Sequence, residues 1–323
     1  MSRETPTQLQ EQNPSYFPES KMDVYDQVYD QLVTEYKESA IKPGDFSDLY
    51  GQSVIKDDTK YVKKMEKRFT EQEGDQGPSE KIRKRAEILE ALLAEQIELG
   101  EWFGPDAQTI NTSRYDDIVN GVDMAIEFER EEGFKHLALS IDVTSGDKIV
   151  AEKLERIRQQ IEAGQLTQIK YFLSEKSDIR GELRNMPRVI IGADPKTIRE
   201  LSELWLTVKN LRRVLQKKEG LSEDSIKSTR ERIKEAIQKL AEHKIQQQLL
   251  LEVEMQLRCF VKLAIKSNRP EVAQKYQNAL DLVASIVTEK EILREELDTT
   301  EDAVFQSIRL GVKTLEITNL TGP

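Results

Sequence analysis

The amino-acid sequence predicts an α+β protein with an α/β-type core, in which a small mixed sheet is flanked by helices. Two observations favour this class. Apolar residues recur at helical spacing through most of the chain, and period-2 alternation replaces that spacing mainly between Tyr115 and Phe172. Further along, the nearly continuous apolar run at 187–193 is typical of a strand buried on both faces.

Breaks and shifts of composition divide the chain into four predicted segments. The first 20 residues are polar and rich in Gln and Glu, which predicts a disordered lead at 1–20. Helical periodicity predicts N-terminal helices in 21–79, and mixed helical and strand patterns predict the core in 80–219. An antiparallel helical hairpin with a tail is expected in 220–323.

Each segment contains elements with their own patterns. An apolar stripe predicts a helix at 22–39, 45–57 resembles a loop, and 58–71 is a basic amphipathic helix. In the core we predict helices at 80–100, 148–163 and 195–218, and strands at 108–112, 121–129, 137–144, 166–173 and 187–193. The last segment is predicted to form helices at 222–266 and 271–297 and a short strand at 305–320.

Composition excludes several classes of protein. No apolar run approaches the roughly 20 residues that span a bilayer, so we expect no membrane partner. Cys259 is the single cysteine, which precludes an internal disulfide and fits a cytoplasmic location. With two histidines and one cysteine, little is left for a zinc site. The net charge of -11 argues against a generally basic nucleic-acid-binding coat, although a local basic face is compatible with it.

Carboxylates are built into the strand-like alternation of the core. Asp123 and Glu127 fall on one side of the first alternating strand, and Asp142 and Thr144 project together from the next. If these strands pair as a hairpin, the two acidic faces lie side by side. Converging carboxylates at a sheet edge are what a divalent metal requires.

Three sequence blocks in this region, YDDIVNGVD, IDVT and IKYF, point to a family. Together with the element order, they resemble the PD-(D/E)xK superfamily of nucleases, which has the restriction-endonuclease-like fold. They also resemble a group of bacterial proteins that carry the same blocks. The resemblance covers residues 80–210, and it implies metal-dependent hydrolysis of phosphodiester bonds in DNA or RNA.

The resemblance also implies roles for individual residues. Asp123 would be the acid of the first motif and Asp142 that of the second, and both would bind Mg²⁺ or Mn²⁺. The family's helix glutamate would be Glu87 or Glu90. This chain departs from the pattern at Thr144, which stands where the family has its lysine.

Two lysines are available to replace the motif lysine. Lys153 lies on the predicted helix that follows the IDVT strand, and Lys170 lies on the next predicted strand. Lys170 can also be read as the charge of an edge strand.

Purely structural roles remain open for the acids too. Asp116 and Asp117 can cap or form a turn before a strand. Glu127 and Glu129 can lie on the solvent face of an edge strand. Asp123 and Asp142 can belong to a structural network rather than a metal site.

Three functions are therefore compatible with the sequence. The first is a divergent metal-dependent nuclease. The second is a catalytically inactive protein of the same fold that binds nucleic acid or protein, which the missing lysine and the negative net charge favour. The third is a helical interaction protein that contacts a partner, or another copy of itself, through its C-terminal helices.

Overall fold

A computed structural model describes residues 22–73, 78–128, 137–174, 176, 178–217, 221–292 and 301–321. The predicted disordered lead at 1–20 lies outside these residues, as does the predicted turn of the hairpin at 130–135. Within the described ranges, no helix is both long enough and apolar enough to cross a bilayer.

In the part of the chain that the structure describes, six strands form two sheets. They are β1 (Ala107–Asn111), β2 (Met124–Phe128), β3 (Leu137–Thr144), β4 (Thr167–Leu173), β5 (Arg180–Met186) and β6 (Arg188–Gly192). The larger sheet is mixed and has the order β1-β2-β3-β6, in which β3 and β6 run parallel and the other neighbours run antiparallel. All five residues of β2 and of β6 are buried. Strand β2 lies between β1 and β3, whereas β6 ends the sheet order and is covered by α5 and α8.

The smaller sheet pairs β4 with β5 only. Strand β4 was expected in the core sheet, but its partner β5 is a strand that the sequence patterns did not predict. The β5 sequence RGELRNM is mostly polar and exposed, and its pairing with β4 contains two register shifts. Its polar composition explains why periodicity did not reveal it.

Helices make up most of the rest. They are α1 (Val24–Val28), α2 (Thr34–Ser39), α3 (Ser47–Glu73), α4 (Pro78–Leu99), α5 (Val150–Glu162), α6 (Pro195–Lys217), α7 (Glu223–Ala241), α8 (Ile245–Lys266), α9 (Pro270–Glu289) and α10 (Ala303–Thr321). A π-helical turn joins α1 to α2, so the predicted helix at 22–39 is confirmed with a local irregularity. The predicted helices at 80–100, 148–163 and 195–218 correspond to α4, α5 and α6.

Three sequence-based assignments were wrong. The predicted loop at 45–57 is largely helical, because α3 already begins at Ser47 and only bends at Gly51, which has φ 77°. The predicted helix at 222–266 is two helices, α7 and α8. The tail at 305–320 is not a strand but lies within α10.

The main hydrophobic core runs through both halves of the chain. It includes residues from Tyr25 to Leu315, with Trp102 and Trp205 fully buried. Helix α4 packs against β1 and β3, and α5 and α8 pack against β6. In place of the predicted C-terminal pair, α8 packs against α9 and also contacts the sheet and α10, so the apolar face of α8 is buried within the chain.

Polar side chains of α8 bond directly to the backbone of β6. The Gln256 side chain accepts a hydrogen bond from the Ile190 N–H at 2.9 Å and donates one to the Ile190 carbonyl at 2.6 Å. The Glu252 carboxyl accepts a hydrogen bond from the Gly192 N–H at 3.0 Å. These bonds satisfy backbone groups that no strand pairs on this side of the sheet.

We expect the Glu252→Gln variant to be less sensitive to pH than the wild type. Burial, and then the nearby Asp302, raise the Glu252 pKa well above its usual value. Because the folded-state pKa exceeds the unfolded one, the wild-type free energy of unfolding falls as pH rises from the unfolded pKa towards the folded pKa. Each unit of difference costs about 1.4 kcal/mol, and glutamine avoids this cost while still offering an acceptor to Gly192.

Urea denaturation of both proteins between pH 4 and pH 8 tests this expectation. The variant should gain stability relative to the wild type as pH rises. A constant difference across that range would show that Glu252 does not titrate differently in the folded and unfolded states.

Candidate functional site

A cleft of about 960 Å³ opens beside the carboxyl end of β3. Its lining comes from α2, the end of α3, the first half of α4, the residues before β2, and the loop that leads from β3 into α5. Seven acidic and seven basic side chains line it, although the whole chain carries a net charge of -11. The formal charges of the cleft lining therefore cancel, whereas those of the whole chain do not.

Asp142 lies at the bottom of this cleft between two cations. Its Oδ1 atom accepts a hydrogen bond from the Lys153 ammonium, and its Oδ2 atom accepts one from the Arg188 guanidinium at 2.7 Å. The three side chains are 8%, 12% and 3% exposed, respectively. A buried carboxylate with two charged partners is fixed in position, and the loss of this carboxylate would leave the buried Arg188 guanidinium without a counter-charge.

Lys153 reaches Asp142 because α5 follows β3 after a short turn. The apolar side of α5, with Leu154 and Ile157 buried, packs against the sheet, and Lys153 projects beside it towards the end of β3. The Lys153 ammonium also donates a hydrogen bond to the Val143 carbonyl at 3.0 Å. The predicted lysine candidate on this helix is thus in direct contact with the second acidic motif.

Asp123 precedes β2 and lies next to Asp142 across the hairpin. The antiparallel register pairs Met124 with Ile141, and the Asp123 N–H donates to the Ile141 carbonyl at 3.0 Å. The Asp123 Oδ2 atom accepts the Val143 N–H at 2.6 Å. Burial, and then the Asp142 and Asp117 carboxylates, raise the Asp123 pKa well above its usual value. The antiparallel pairing of β2 and β3 therefore brings Asp123 and Asp142 next to each other.

Of the two candidate glutamates on α4, Glu90 is the one whose pKa is affected by these acids. Burial raises the Glu90 pKa strongly, and the Asp123 and Asp117 carboxylates raise it further. Glu87 instead accepts hydrogen bonds from the Tyr29 hydroxyl at 2.6 Å and from the Lys37 ammonium at 3.0 Å. Both glutamates line the cleft, but Tyr29 and Lys37 hold the Glu87 carboxylate at the side of the cleft.

Thr144 forms part of the turn after β3. Its buried hydroxyl accepts a hydrogen bond from the Gly146 N–H at 3.2 Å. A hydroxyl supplies no positive charge, so the cation beside the second acidic motif comes from Lys153 and not from position 144.

Lys170 is not a member of this site. Strand β4 belongs to the smaller sheet, where the Lys170 ammonium pairs with Asp58 of α3 and lies 4.9 Å from the ring centroid of Tyr115. It is absent from the lining of the cleft. Lys170 was a candidate because the resemblance allows the motif lysine to move to a neighbouring element, and β4 was expected in the core sheet.

Asp116 and Asp117 occupy a π-helical turn before β2, and their roles differ. Asp116 is fully buried and accepts hydrogen bonds from the backbone N–H groups of Lys170 and Tyr171 at 2.7 and 3.1 Å, which is a structural role. Asp117 pairs with Arg114 and lines the cleft. Burial raises the Asp117 pKa, although Arg114 opposes the shift.

The solvent-face interpretation of Glu127 was wrong, while Glu129 lies outside the described residues. Strand β2 lies between β1 and β3 rather than at an edge. The Glu127 side chain is buried there and accepts a hydrogen bond from the Ser174 hydroxyl at 2.5 Å.

Two residues of the cleft were missed by sequence reasoning. Arg188 opens β6 and also donates hydrogen bonds to the Asn120 and Gly121 carbonyls. Gly121 has φ 63°, and a Cβ atom there would lie 2.7 Å from the Arg188 guanidinium, so this approach requires glycine. The available signal in the sequence was a charged residue at the start of a fully buried strand, because a buried charge requires a partner.

The second missed residue is Tyr36, which was counted only as part of an apolar helical stripe. Its hydroxyl is buried and has no hydrogen-bond partner among the described residues. Burial, and then Glu90 and Asp123, raise its pKa well above the usual value. The Tyr36 hydroxyl is therefore an uncommitted hydrogen-bond donor on the wall of the cleft.

Oxygen atoms at the bottom of the cleft are the groups that could bind a divalent cation. The Asp123 and Asp142 carboxylates and the Val143 carbonyl offer hard oxygen atoms, the type that Mg²⁺ prefers. In the described part of the chain, however, no group of three or more Asp, Glu, His or Cys residues has an arrangement that could hold a metal ion. The Lys153 ammonium contacts two of these oxygen groups.

Searches with the complete chain found no matching family model, no matching curated protein and no matching solved structure. The candidate site is accordingly defined by its own geometry: two neighbouring carboxylates on consecutive strands, with Lys153, Arg188 and Glu90 around them.

Proposed function

We propose that this cleft hydrolyses phosphodiester bonds of nucleic acid with the help of Mg²⁺ or Mn²⁺. One observation carries the proposal, namely the contact of the Lys153 ammonium with both Asp142 Oδ1 and the Val143 carbonyl. A lysine at this point supplies the positive group that Thr144 cannot supply. Lys153 rather than Lys170 would then replace the motif lysine.

The order of elements around the site supports the proposal. Helix α4 is followed by three antiparallel strands and then by the helix α5. Strands β4 and β5 come next in the chain, and β6 then returns to the larger sheet, where it lies parallel to β3. This is the order that the resemblance to restriction-endonuclease-like nucleases leads one to expect. Fold alone does not determine activity, so the argument rests on the site.

A cation would be held by Asp123, Asp142 and the Val143 carbonyl, and it would require the Lys153 ammonium to withdraw from them. When bound, Mg²⁺ would lower the pKa of a bound water molecule and neutralise charge that develops on the phosphate. Lys153, once withdrawn, stays within reach of the cleft and can pair with a phosphate oxygen. Glu90 and Tyr36 also line the cleft, where burial raises both pKa values above their usual range, and the Tyr36 hydroxyl can donate a hydrogen bond to that phosphate oxygen.

A second candidate function is binding without hydrolysis. Both carboxylate oxygens of Asp142 are already satisfied by Lys153 and Arg188. An ammonium that permanently takes the place of a divalent cation would leave the fold intact and the site inactive. In that case the cleft would bind phosphate groups but would not cleave them.

Cleavage assays distinguish these functions. We expect the wild type to cleave labelled single- or double-stranded DNA or RNA with Mg²⁺ or Mn²⁺, and the Lys153→Met variant to be slower by about a hundredfold, as for loss of one charge-stabilising donor. Asp123→Asn should remove cleavage as well. Lys170→Met is the matched control and should retain cleavage, because Lys170 lies outside the cleft.

Two results would contradict the hydrolase. Equal loss in the Lys153 and Lys170 variants would indicate a general structural effect, which thermal unfolding of each variant would reveal. Binding of oligonucleotides without cleavage by the wild type, with either metal, would favour the binding function.

A further inference from the structure

We infer that the cleft receives an unpaired nucleic-acid strand rather than an intact duplex. The inference deepens the proposed function and rests on it for the identity of the ligand as nucleic acid. It concerns chemistry that single-stranded DNA and RNA share: a row of phosphates beside bases whose faces are open.

Three cations on one side of the cleft are suited to phosphate groups. Arg83 of α4, Lys148 of the loop after β3 and Arg156 of α5 line the cleft and are exposed. None of the three forms an ion pair with another described residue. In contrast, Lys37 and Arg114 pair with carboxylates of the same cleft. The unpaired cations remain available for charges that the chain itself does not supply.

The acidic side chains of the cleft oppose a nucleic acid less than their number implies. Glu87 is paired with Lys37, and Asp142 is paired with Lys153 and Arg188. Glu66 and Asp117 are both paired with Arg114. Among the described residues, Asp147 is the one exposed carboxylate of the lining, against the three exposed cations Arg83, Lys148 and Arg156, so an incoming strand meets more positive than negative charge.

Apolar side chains lie between these cations. Phe69 of α3, Ile82 of α4 and Ile149 before α5 line the cleft and are 37%, 38% and 41% exposed. Exposed large apolar side chains in one concave site indicate a ligand with apolar surface. Unpaired bases present such surface and stack on aromatic rings, whereas a duplex presents its phosphates and the edges of its bases.

The depth of the site also favours a single strand. The Asp142 side chain is only 8% exposed, so a phosphate must enter the cleft to reach it. A cleft of about 960 Å³ is of the size that encloses a small ligand. Tyr36 of α2 and Phe69 of α3 contribute to the walls of this cleft.

Fluorescence anisotropy in EDTA tests the inference without any cleavage. The probes are a labelled single-stranded DNA, the RNA of the same sequence, and the duplex of that DNA. We expect the wild type to bind at least one single strand more than tenfold more tightly than the duplex. Phe69→Ala should weaken single-strand binding by about tenfold, as expected for loss of one stacked base.

Matched controls separate these effects from general changes. Tyr61→Ala removes an aromatic ring of the same helix that is 48% exposed but outside the cleft lining, and should have no effect. Changing Arg83, Lys148 and Arg156 together to Gln should reduce the slope of log affinity against log salt by about 2, because each single-strand phosphate contact contributes about 0.7. The same change at Lys227, Arg230 and Lys234, exposed on α7, should leave the slope unchanged.

Each outcome decides one of the two proposals. Equal affinity for strand and duplex, equal effects of the Phe69 and Tyr61 changes, or no binding at all would overturn the inference. Binding that prefers single strands and depends on Phe69, but without cleavage when Mg²⁺ is added, would support the inference and refute the hydrolase. If the wild type cleaves the duplex and the Phe69→Ala change does not affect that cleavage, the hydrolase is supported and the inference is refuted.

Discussion

Replacing Asp142 by Ala is expected to lower the free energy of unfolding by about 3–5 kcal/mol, the usual cost of removing one partner from a buried ion pair. The Arg188 guanidinium, 3% exposed, would lose its carboxylate and keep only backbone carbonyls as partners. Lys153 would lose its carboxylate too, although at 12% exposure it can turn towards water. Most of the cost should therefore come from Arg188.

Urea denaturation of this variant beside Asp147→Ala measures the effect. Asp147 lines the same cleft but is exposed, and its removal should cost less than about 0.5 kcal/mol. A loss below 1 kcal/mol for Asp142→Ala would mean that Arg188 is solvated or finds another partner. If the large loss is found, cleavage by Asp142→Ala cannot be interpreted alone, which is why Lys153→Met and Asp123→Asn are the better tests of hydrolysis.

The second large effect is expected from Asp116→Ala, with a loss of about 3–5 kcal/mol. The Asp116 carboxylate accepts hydrogen bonds from two backbone N–H groups of β4, from the Ser113 hydroxyl and from the Asn120 amide. Alanine would leave these donors without an acceptor in a buried place, and each such group costs about 1–3 kcal/mol. The turn that carries Asp117 and leads to Asp123 would also lose its attachment to the smaller sheet.

Chemical denaturation again measures the loss, with Asp57→Ala as the matched control. Asp57 is exposed on α3, where its ion pair with Lys60 spans 3.5 Å, and such surface pairs contribute little. Asp116→Asn should recover part of the stability because it keeps one acceptor oxygen. Equal stability of the Asp116 and Asp57 variants would contradict a structural role for Asp116.

Patterns that report local burial were sufficient to predict the centre of the fold. Alternation around Met124 and Ile141 predicted the β2–β3 hairpin, and the apolar run at Val189–Ile191 predicted the buried strand β6. Asp123 and Asp142 were predicted together because their positions on paired strands follow from the hairpin itself. This part of the site depends only on neighbouring strands.

Long-range features of the site were beyond such patterns. Whether Lys153 or Lys170 meets Asp142 depends on which sheet contains β4, and strand pairing is decided by the rest of the chain. Arg188 reaches Asp142 only because β6 lies parallel to β3. Neither the sheet that contains β4 nor the pairing of β6 with β3 can be recognised from a local sequence pattern.

The error in the tail has a different origin. In α10 the buried residues Val304, Phe305, Ile308 and Val312 follow helical spacing, but a partial alternation in the same residues was read as a strand. Gly311 weakened the helical pattern, since glycine is unfavourable within helices. It is tolerated here because a Cβ atom at this position would clash with Leu154 of α5.

The bonds from Gln256 and Glu252 to β6 have a consequence for association between molecules. The edge strand of a sheet has unpaired N–H and C=O groups that can pair with strands of other chains, and proteins protect such edges against this pairing. Here the Ile190 and Gly192 groups are already engaged by the side chains of α8. An invading strand would first have to break these bonds and lift a helix from the core, so the molecule is protected at β6 against edge-to-edge aggregation.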